Sequence, residues 1–144
     1  MTPKERAERA AAAMWAGDRA SGWFGMRLVE VDEGRAVLEM TVAEPHVNGH
    51  GICHGGVTFA LADSAFAFAC NSRNRSTVAQ HNAITYLRPA RLGDTLTARA
   101  REIALGGRSG ITDVTVTDQH GALIAEFRGH SRAIDGHLFP EEED

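Results

Sequence analysis

Residues 48–70 divide into a polar half and an apolar half, and that division decides what the chain can fold into. Asn48 to Gly56 mixes Gly and His with other polar residues and cannot be regular structure. Val57 to Cys70 is Ala, Phe, Leu and Val on nearly every side, with one acid, Asp63, in the middle. Ala and Leu are strong helix formers, and no Gly or Pro interrupts the run. A helix that is apolar all round is a buried helix, and its 14 residues are too few to span a bilayer. The pattern therefore predicts a loop feeding a central helix that the rest of the chain wraps. Asp63 is an ionisable group in an apolar setting, a cost that a partner or a ligand must offset.

The flanking segments supply the wrapping. Thr2 to Arg19 reads as a helix, with Pro3 at its first position and an apolar stripe of Ala7, Ala10, Ala11, Met14 and Trp15. Met26–Val31 and Arg35–Val42 form a hairpin about Asp32-Glu33-Gly34. After a polar breaker, Asn71 to Ser76, four strands follow: Thr77–Leu87, Asp94–Leu105, Ser109–Thr117 and Leu123–Ala133. Thr95 to Ala98 and Asp113 to Thr117 alternate with period 2, as a half-buried antiparallel sheet does. The expected class is α+β: one antiparallel sheet wrapped around one central helix, with an additional N-terminal helix. A single domain covers residues 1–135, and the acidic tail 136–144 is expected to be flexible. Apolar residues left on the outer sheet face favour an oligomer.

Composition narrows the partners. A chain of 144 residues suits one domain with a sizeable core. A net charge of −4 gives no electrostatic reason to expect nucleic acid. No secretory signal and no membrane span can be read, and the two Cys look like reduced thiols, so the expectation is a cytoplasmic protein.

A helix starting at Gly55-Gly56 presents free backbone N–H groups, and without a Cβ on either residue a ligand can approach closely. The helix dipole favours negative charge there, such as a carbonyl becoming an oxyanion. The bland alternative is that both glycines merely allow tight loop packing. Asp63 could be a nucleophile or the base that activates water, or a buried structural peg. It lies eight residues beyond Gly55, about 12 Å along the same helix, so it cannot reach a carbonyl bound at its own helix start. If both act on one carbonyl, they come from two chains across a two-fold axis. His54 and Asn48 shape the loop or hold a water. A metal site from His50 and His54 with Cys53 or Asp63 is disfavoured, because Gly49 and Gly51 break the helical spacing. A Cys53–His54 nucleophilic pair is disfavoured because sequence neighbours on a loop rarely aim at each other.

At these residues the chain resembles the hotdog-fold acyl-CoA thioesterases of the phenylacetate-degradation (PaaI) type. The matching stretches are Asn48-Gly49-His50, Cys53-His54-Gly55-Gly56, Leu61 to Ala67, Ala69 to Ser72, Tyr86 to Pro89, Gly93 to Ala98 and Phe127-Arg128-Gly129. The resemblance implies a sheet wrapped around a helix, dimers pairing into a tetramer, and hydrolysis of aromatic acyl-CoA thioesters, of the phenylacetyl or hydroxyphenylacetyl type, without a cofactor. Carried over by position, Asp63 is nucleophile or base, Gly55 N–H polarises the thioester carbonyl, and His54 and Asn48 line the site. Relatives carry Ser or Thr on the following strand where this chain has Ala79, leaving Gln80 or His81 as substitutes. For CoA binding the resemblance and the turns point to Gly56, Arg88, Arg108 and Ser109, since phosphates want Arg. Two alternatives remain at this level. One is an enoyl-thioester hydratase or dehydratase, whose Pro-rich or Asn-Pro-x-His motifs are missing here. The other is a non-catalytic acyl-CoA-binding protein, which would have no use for an acid at the carbonyl.

Overall fold

The computed structural model describes residues 1–142. Glu143 and Asp144, the end of the expected flexible tail, lie outside the described residues. Helix α1 covers Pro3–Gly17 and α2 covers Arg19–Trp23. Strands β1 (Arg27–Asp32) and β2 (Arg35–Thr41) precede α3 (Gly55–Cys70). Strands β3 (Thr77–Tyr86), β4 (Thr95–Gly106), β5 (Ser109–Thr117) and β6 (Leu123–Ala133) complete the chain.

Helix α1 starts on a reciprocal cap: Glu5 N–H donates to Thr2 Oγ1 at 3.1 Å, and Thr2 N–H to the Glu5 carboxylate at 3.2 Å. The single helix expected over Thr2–Arg19 breaks at Asp18, which is extended. The reason is local competition. The Asp18 side chain accepts from Ser21 N–H at 2.9 Å and so caps a new short helix instead of continuing the old one.

The six strands form one antiparallel sheet in the order β1-β2-β4-β5-β6-β3. Its inner face presents Leu38, Met40, Leu96, Val114, Val116 and Phe127, all buried against Leu61, Ala65 and Phe66 of α3. Burying each such large apolar side chain contributes roughly 1.5–3 kcal/mol. At Gly129, in the middle of β6, a Cβ would stand 2.7 Å from the Phe66 ring. The glycine is therefore the seat that lets α3 lie close to the sheet.

Three sets of hydrogen bonds lay α3 antiparallel along β3. Tyr86 hydroxyl donates to Gly55 O at 2.7 Å, Asn82 Nδ2 to Asp63 Oδ1 at 3.0 Å, and Asn71 Nδ2 to Thr77 O at 3.0 Å. β3 is an edge strand, exposed along most of its ten residues. The opposite edge is blunted: β1 carries a bulge between Leu28 and Glu30, and Lys4 Nζ reaches from α1 to Val31 O at 3.2 Å.

The segment after Gly136, expected to be flexible, is tied down as far as Glu141. Asn74, itself buried, accepts from Leu138 N–H at 2.9 Å and Phe139 N–H at 3.1 Å, and donates to Phe139 O at 3.0 Å. Arg6 pairs with Glu141 at 2.8 Å, and the Arg9 guanidinium stands 4.3 Å over the Phe139 ring. The acidic composition hid these ties, because their partners lie on α1 and in the turn after α3.

Candidate active site

The head of α3 is built by His54. As the N-cap, its Nδ1 accepts from Gly56 N–H at 2.9 Å. Its carbonyl accepts from Val57 N–H at 2.9 Å, and its own N–H is held by His46 O at 2.8 Å. Gly56, expected to bind substrate, has its amide taken up within the chain. Gly55 N–H is the donor left without a partner among the described residues. A first-turn N–H of this kind is where a helix holds negative charge.

A groove of about 390 Å³ opens beside that donor, and Asn48, Gly55, Tyr86 and Arg88 line it. Asn48 closes its own loop: Oδ1 accepts from His50 N–H at 2.9 Å, and its N–H donates to Ile52 O at 2.8 Å. Cys53 also lines the groove, but Thr58 Oγ1 donates to its sulfur at 3.6 Å and burial pushes the thiol up. The Cys53 thiol donates to the His54 carbonyl at 3.7 Å, and His54 Nδ1 is taken by Gly56 N–H. Cys70 is pushed up to about 12, chiefly by burial. Among the described residues no three metal-ligating side chains converge.

Asp63 is half-buried two helical turns further on. Burial raises its carboxyl above the ordinary carboxylate range, and the hydrogen bond from Asn82 pulls it back down. Its neighbour Ser64 turns the other way and meets Ser21 Oγ at 3.1 Å; Ser21 in turn donates to Asp18 at 2.6 Å.

The structure thus gathers Asn48, Gly55 and Arg88 in one groove, with His54 behind them, and holds Asp63 apart on the same helix. The other expected residues lie elsewhere. A bulge between Ala79 and His81 leaves Gln80 exposed. His81 turns to the outer face, its ring 5.6 Å from that of His130, and does not meet Asp63. Arg108 bonds Ala133 O at 3.3 Å, and Ser109 pairs with Arg132, both near the Thr77 end of β3. The residues that reach α3 from β3 are Asn82 and Tyr86. Counting back in twos from the inward Tyr86 finds Asn82; the bulge before it misleads a count made from Ala79.

Residues 50–125 match the family model described as the thioesterase superfamily. The chain belongs to that superfamily. This thioesterase is 43% identical over 129 residues to the acyl-coenzyme A thioesterase PaaI of Escherichia coli (strain K12), covering 90% of this chain and 92% of that one. The solved structure of the E. coli PaaI protein from the phenylacetic acid degradation operon superposes with a TM-score of 0.93 at 41% identity, covering 94% of this thioesterase and 99% of that chain. A Streptococcus mutans UA159 protein solved bound to acetyl CoA superposes with a TM-score of 0.75 at 27% identity, covering 78% and 90%. The antiparallel sheet around α3 is the hotdog fold, and the chain is a thioester hydrolase. No helix among the described residues is long and apolar enough to cross a membrane.

Proposed function

We propose that this thioesterase hydrolyses acyl-CoA thioesters with an aromatic acyl group, of the phenylacetyl or hydroxyphenylacetyl kind, to free acid and CoA in the cytoplasm. The observation that carries the reading is the unpartnered Gly55 N–H at the head of α3, opening into a groove that also holds Arg88. The likeness to PaaI and to a protein solved with acetyl CoA supports CoA as the thiol. The operon named for that E. coli relative supports the aromatic acid.

In this reading Gly55 N–H and the positive end of α3 polarise the thioester carbonyl and hold the oxyanion that forms on it. Asp63 of the partner subunit attacks the carbonyl carbon or takes a proton from the water that does. The C–S bond then breaks and sulfur leaves as the CoA thiolate. Where Asp63 acts as base, the proton it took from water passes to sulfur. Where Asp63 attacks, water hydrolyses the resulting acyl-aspartyl anhydride, freeing the acid and Asp63 and supplying the proton for the thiol. His54 keeps the amide aimed by capping the next one, and Asn48 holds the loop that walls the groove. Arg88 meets a CoA phosphate.

The open β3 edge supports the dimer. Two β3 strands paired antiparallel about a two-fold axis place their α3 helices antiparallel as well. Asp63 lies level with Asn82 and Gly55 level with Tyr86. An axis near Ile84, midway between, brings Asp63 of one subunit level with Gly55 of the other. It also carries the Thr77 end of the partner, with Gln80, Arg108 and Ser109, toward the Arg88 groove. Two such dimers pair into the tetramer.

A thiol-release assay across phenylacetyl-, hydroxyphenylacetyl-, hydroxybenzoyl- and straight-chain CoA esters tests the reading. The aryl-acetyl esters are expected to give the highest kcat/KM. Tight binding of CoA esters with no thiol released would replace the hydrolase with a binding protein.

A further inference from the structure

Two buried side-chain atoms have no hydrogen-bond partner among the described residues: Asn82 Oδ1 and Thr112 Oγ1. Native chains rarely carry such atoms, because an acceptor stripped of water and left unpaired destabilises the fold. The two do not serve each other. Thr112 stands opposite Gly129, and Gly129 opposite Asn82, but the Phe66 ring fills the space above Gly129 between them.

The other end of the Asn82 amide is engaged. Its Nδ2 donates to Asp63 Oδ1 at 3.0 Å, the one side-chain hydrogen bond that Asp63 receives among the described residues. A leucine has the same branched shape and would fill the position with no orphaned acceptor. A polar residue that weakens the fold while gripping a half-buried carboxylate has a use that stability does not explain.

We infer that Asn82 is a positioning residue for Asp63: its amide pins one carboxylate oxygen so that the other, Oδ2, faces the reacting centre, and its unpaired Oδ1 is the structural cost of that grip. The inference rests on the reading of Asp63 as the catalytic carboxylate. It accounts for the β3 bulge, which sets the strand's parity so that Asn82 points at α3. It also supplies the β3 partner that Ala79 cannot provide. The pull of this hydrogen bond against burial agrees with it. No charged side chain contributes to the Asp63 shift. Of the titratable groups that face α3, Tyr86 bonds Gly55 O at the helix head, Asp18 is reached through Ser21 and Ser64, Cys70 lies on α3 itself, and Glu102 is paired with Arg73. His81 and His130 lie on the outer face.

The test compares the full-length wild type with Asn82→Leu and Asn82→Asp on a hydrolysed CoA ester. Asn82→Leu is expected to keep or raise the thermal midpoint, to lower kcat about 10²-fold, and to leave KM within about twofold, as loss of an interaction felt in the transition state does. The acid limb of its pH–rate profile moves to higher pH. Asn82→Asp keeps the shape, sets a second carboxyl beside the first, and moves that limb up further. It carries the test if the leucine variant does not fold. Wild-type kcat and an unmoved acid limb in the variants would overturn the inference, as would a fall in kcat that only follows a fall in thermal midpoint. A wild type that releases no thiol from any CoA ester removes the underlying reading of Asp63 as well. A wild type that turns over beside unchanged variants removes this inference alone.

Discussion

The Tyr86 hydroxyl donates to Gly55 O at 2.7 Å, and its ring atoms stand 3.1 Å from where a Gly55 Cβ would be. One residue thus holds the head of α3 from below while its neighbouring N–H stays open to the groove. Burial raises the Tyr86 hydroxyl above its ordinary value, which favours the protonated, donating form. Proline at position 55 isolates the open amide. It is at home at a helix's first position, and His54, at φ −59° and ψ 133°, already has the backbone a following proline demands. Gly55→Pro is expected to fold, with Tyr86 displaced slightly, and to lose about 10²–10³ in kcat, the usual effect of removing one oxyanion donor. Circular dichroism and steady-state thiol release check the two halves separately.

Mixing defective subunits tests whether one site draws on two chains. Gly55→Pro and Asp63→Asn homodimers are each expected to be inactive. In a heterodimer one site collects both defects, and the other pairs an intact Gly55 with an intact Asp63. Random reassortment should restore about a quarter of wild-type activity, half the dimers each with half their sites. No recovery after verified subunit exchange would place both residues' roles within one chain.

Much of this was legible in the sequence because the apolar run and the alternating strands report their own burial. All six strands and α3 fall within a residue or two of where the pattern puts them. Gly55 and Asp63 stand out for the same reason, as a flexible pair at a helix start and a charge in an apolar stretch. What stayed hidden depends on strand parity and on remote partners. Asn82 needs the bulge at Gln80 to point inward, and a bulge leaves no mark in local composition. Asn71, Ser72 and Asn74 read as part of a polar breaker, and all three are buried, satisfied by β3, the β1–β2 turn and the tail.

The direction of the Asp63 shift links activity to stability with opposite signs. A carboxyl whose folded pKa is raised binds its proton more tightly in the folded state than in the unfolded one. Stability from this group is therefore fully present below the ordinary carboxylate range and is lost as pH climbs through the raised value. Above that raised value the ionised, half-buried Asp63 weakens the fold. Asp63→Asn should abolish turnover yet melt at a higher temperature than wild type at pH 7. The gap should close below about pH 4, where a carboxyl of ordinary pKa is itself protonated. Paired melting curves across pH decide it.

Asn74 sits at φ 61°, and its amide holds the chain on both sides of Phe139. Asn74→Gly keeps the unusual backbone without strain and removes only the side-chain bonds, which separates the two contributions. Its loss strands buried backbone groups of Leu138 and Phe139, and about 2–4 kcal/mol of unfolding free energy should go with them. Asn74→Ala should cost more, since it adds left-handed strain. Denaturant titration measures both, and hydrogen exchange at Leu138 and Phe139 should speed up in each.

Gly129 and Phe66 should behave as one unit. A methyl group at position 129 would sit 2.7 Å from the ring, inside van der Waals contact, and both residues are anchored: one in a central β6 position, the other buried in α3. Neither backbone can retreat alone, so Gly129→Ala should cost about 1–3 kcal/mol, the usual penalty of overpacking. Phe66→Leu shortens the side chain that the new methyl meets, and by itself it should destabilise through the space it leaves over the glycine. Together the new methyl fills part of that space, and the double variant should be more stable than the sum of the two losses predicts, with a coupling of about 0.5–3 kcal/mol. The same movement tests the site. Phe66 lies one turn beyond Asp63 on α3, so a helix lifted from the sheet by Gly129→Ala stretches the Asn82–Asp63 contact. The single variant should lose activity, and the double variant should recover it along with stability. Additive energies would mean that the ring does not rest on the glycine, and α3 would then owe its closeness to the sheet to other contacts.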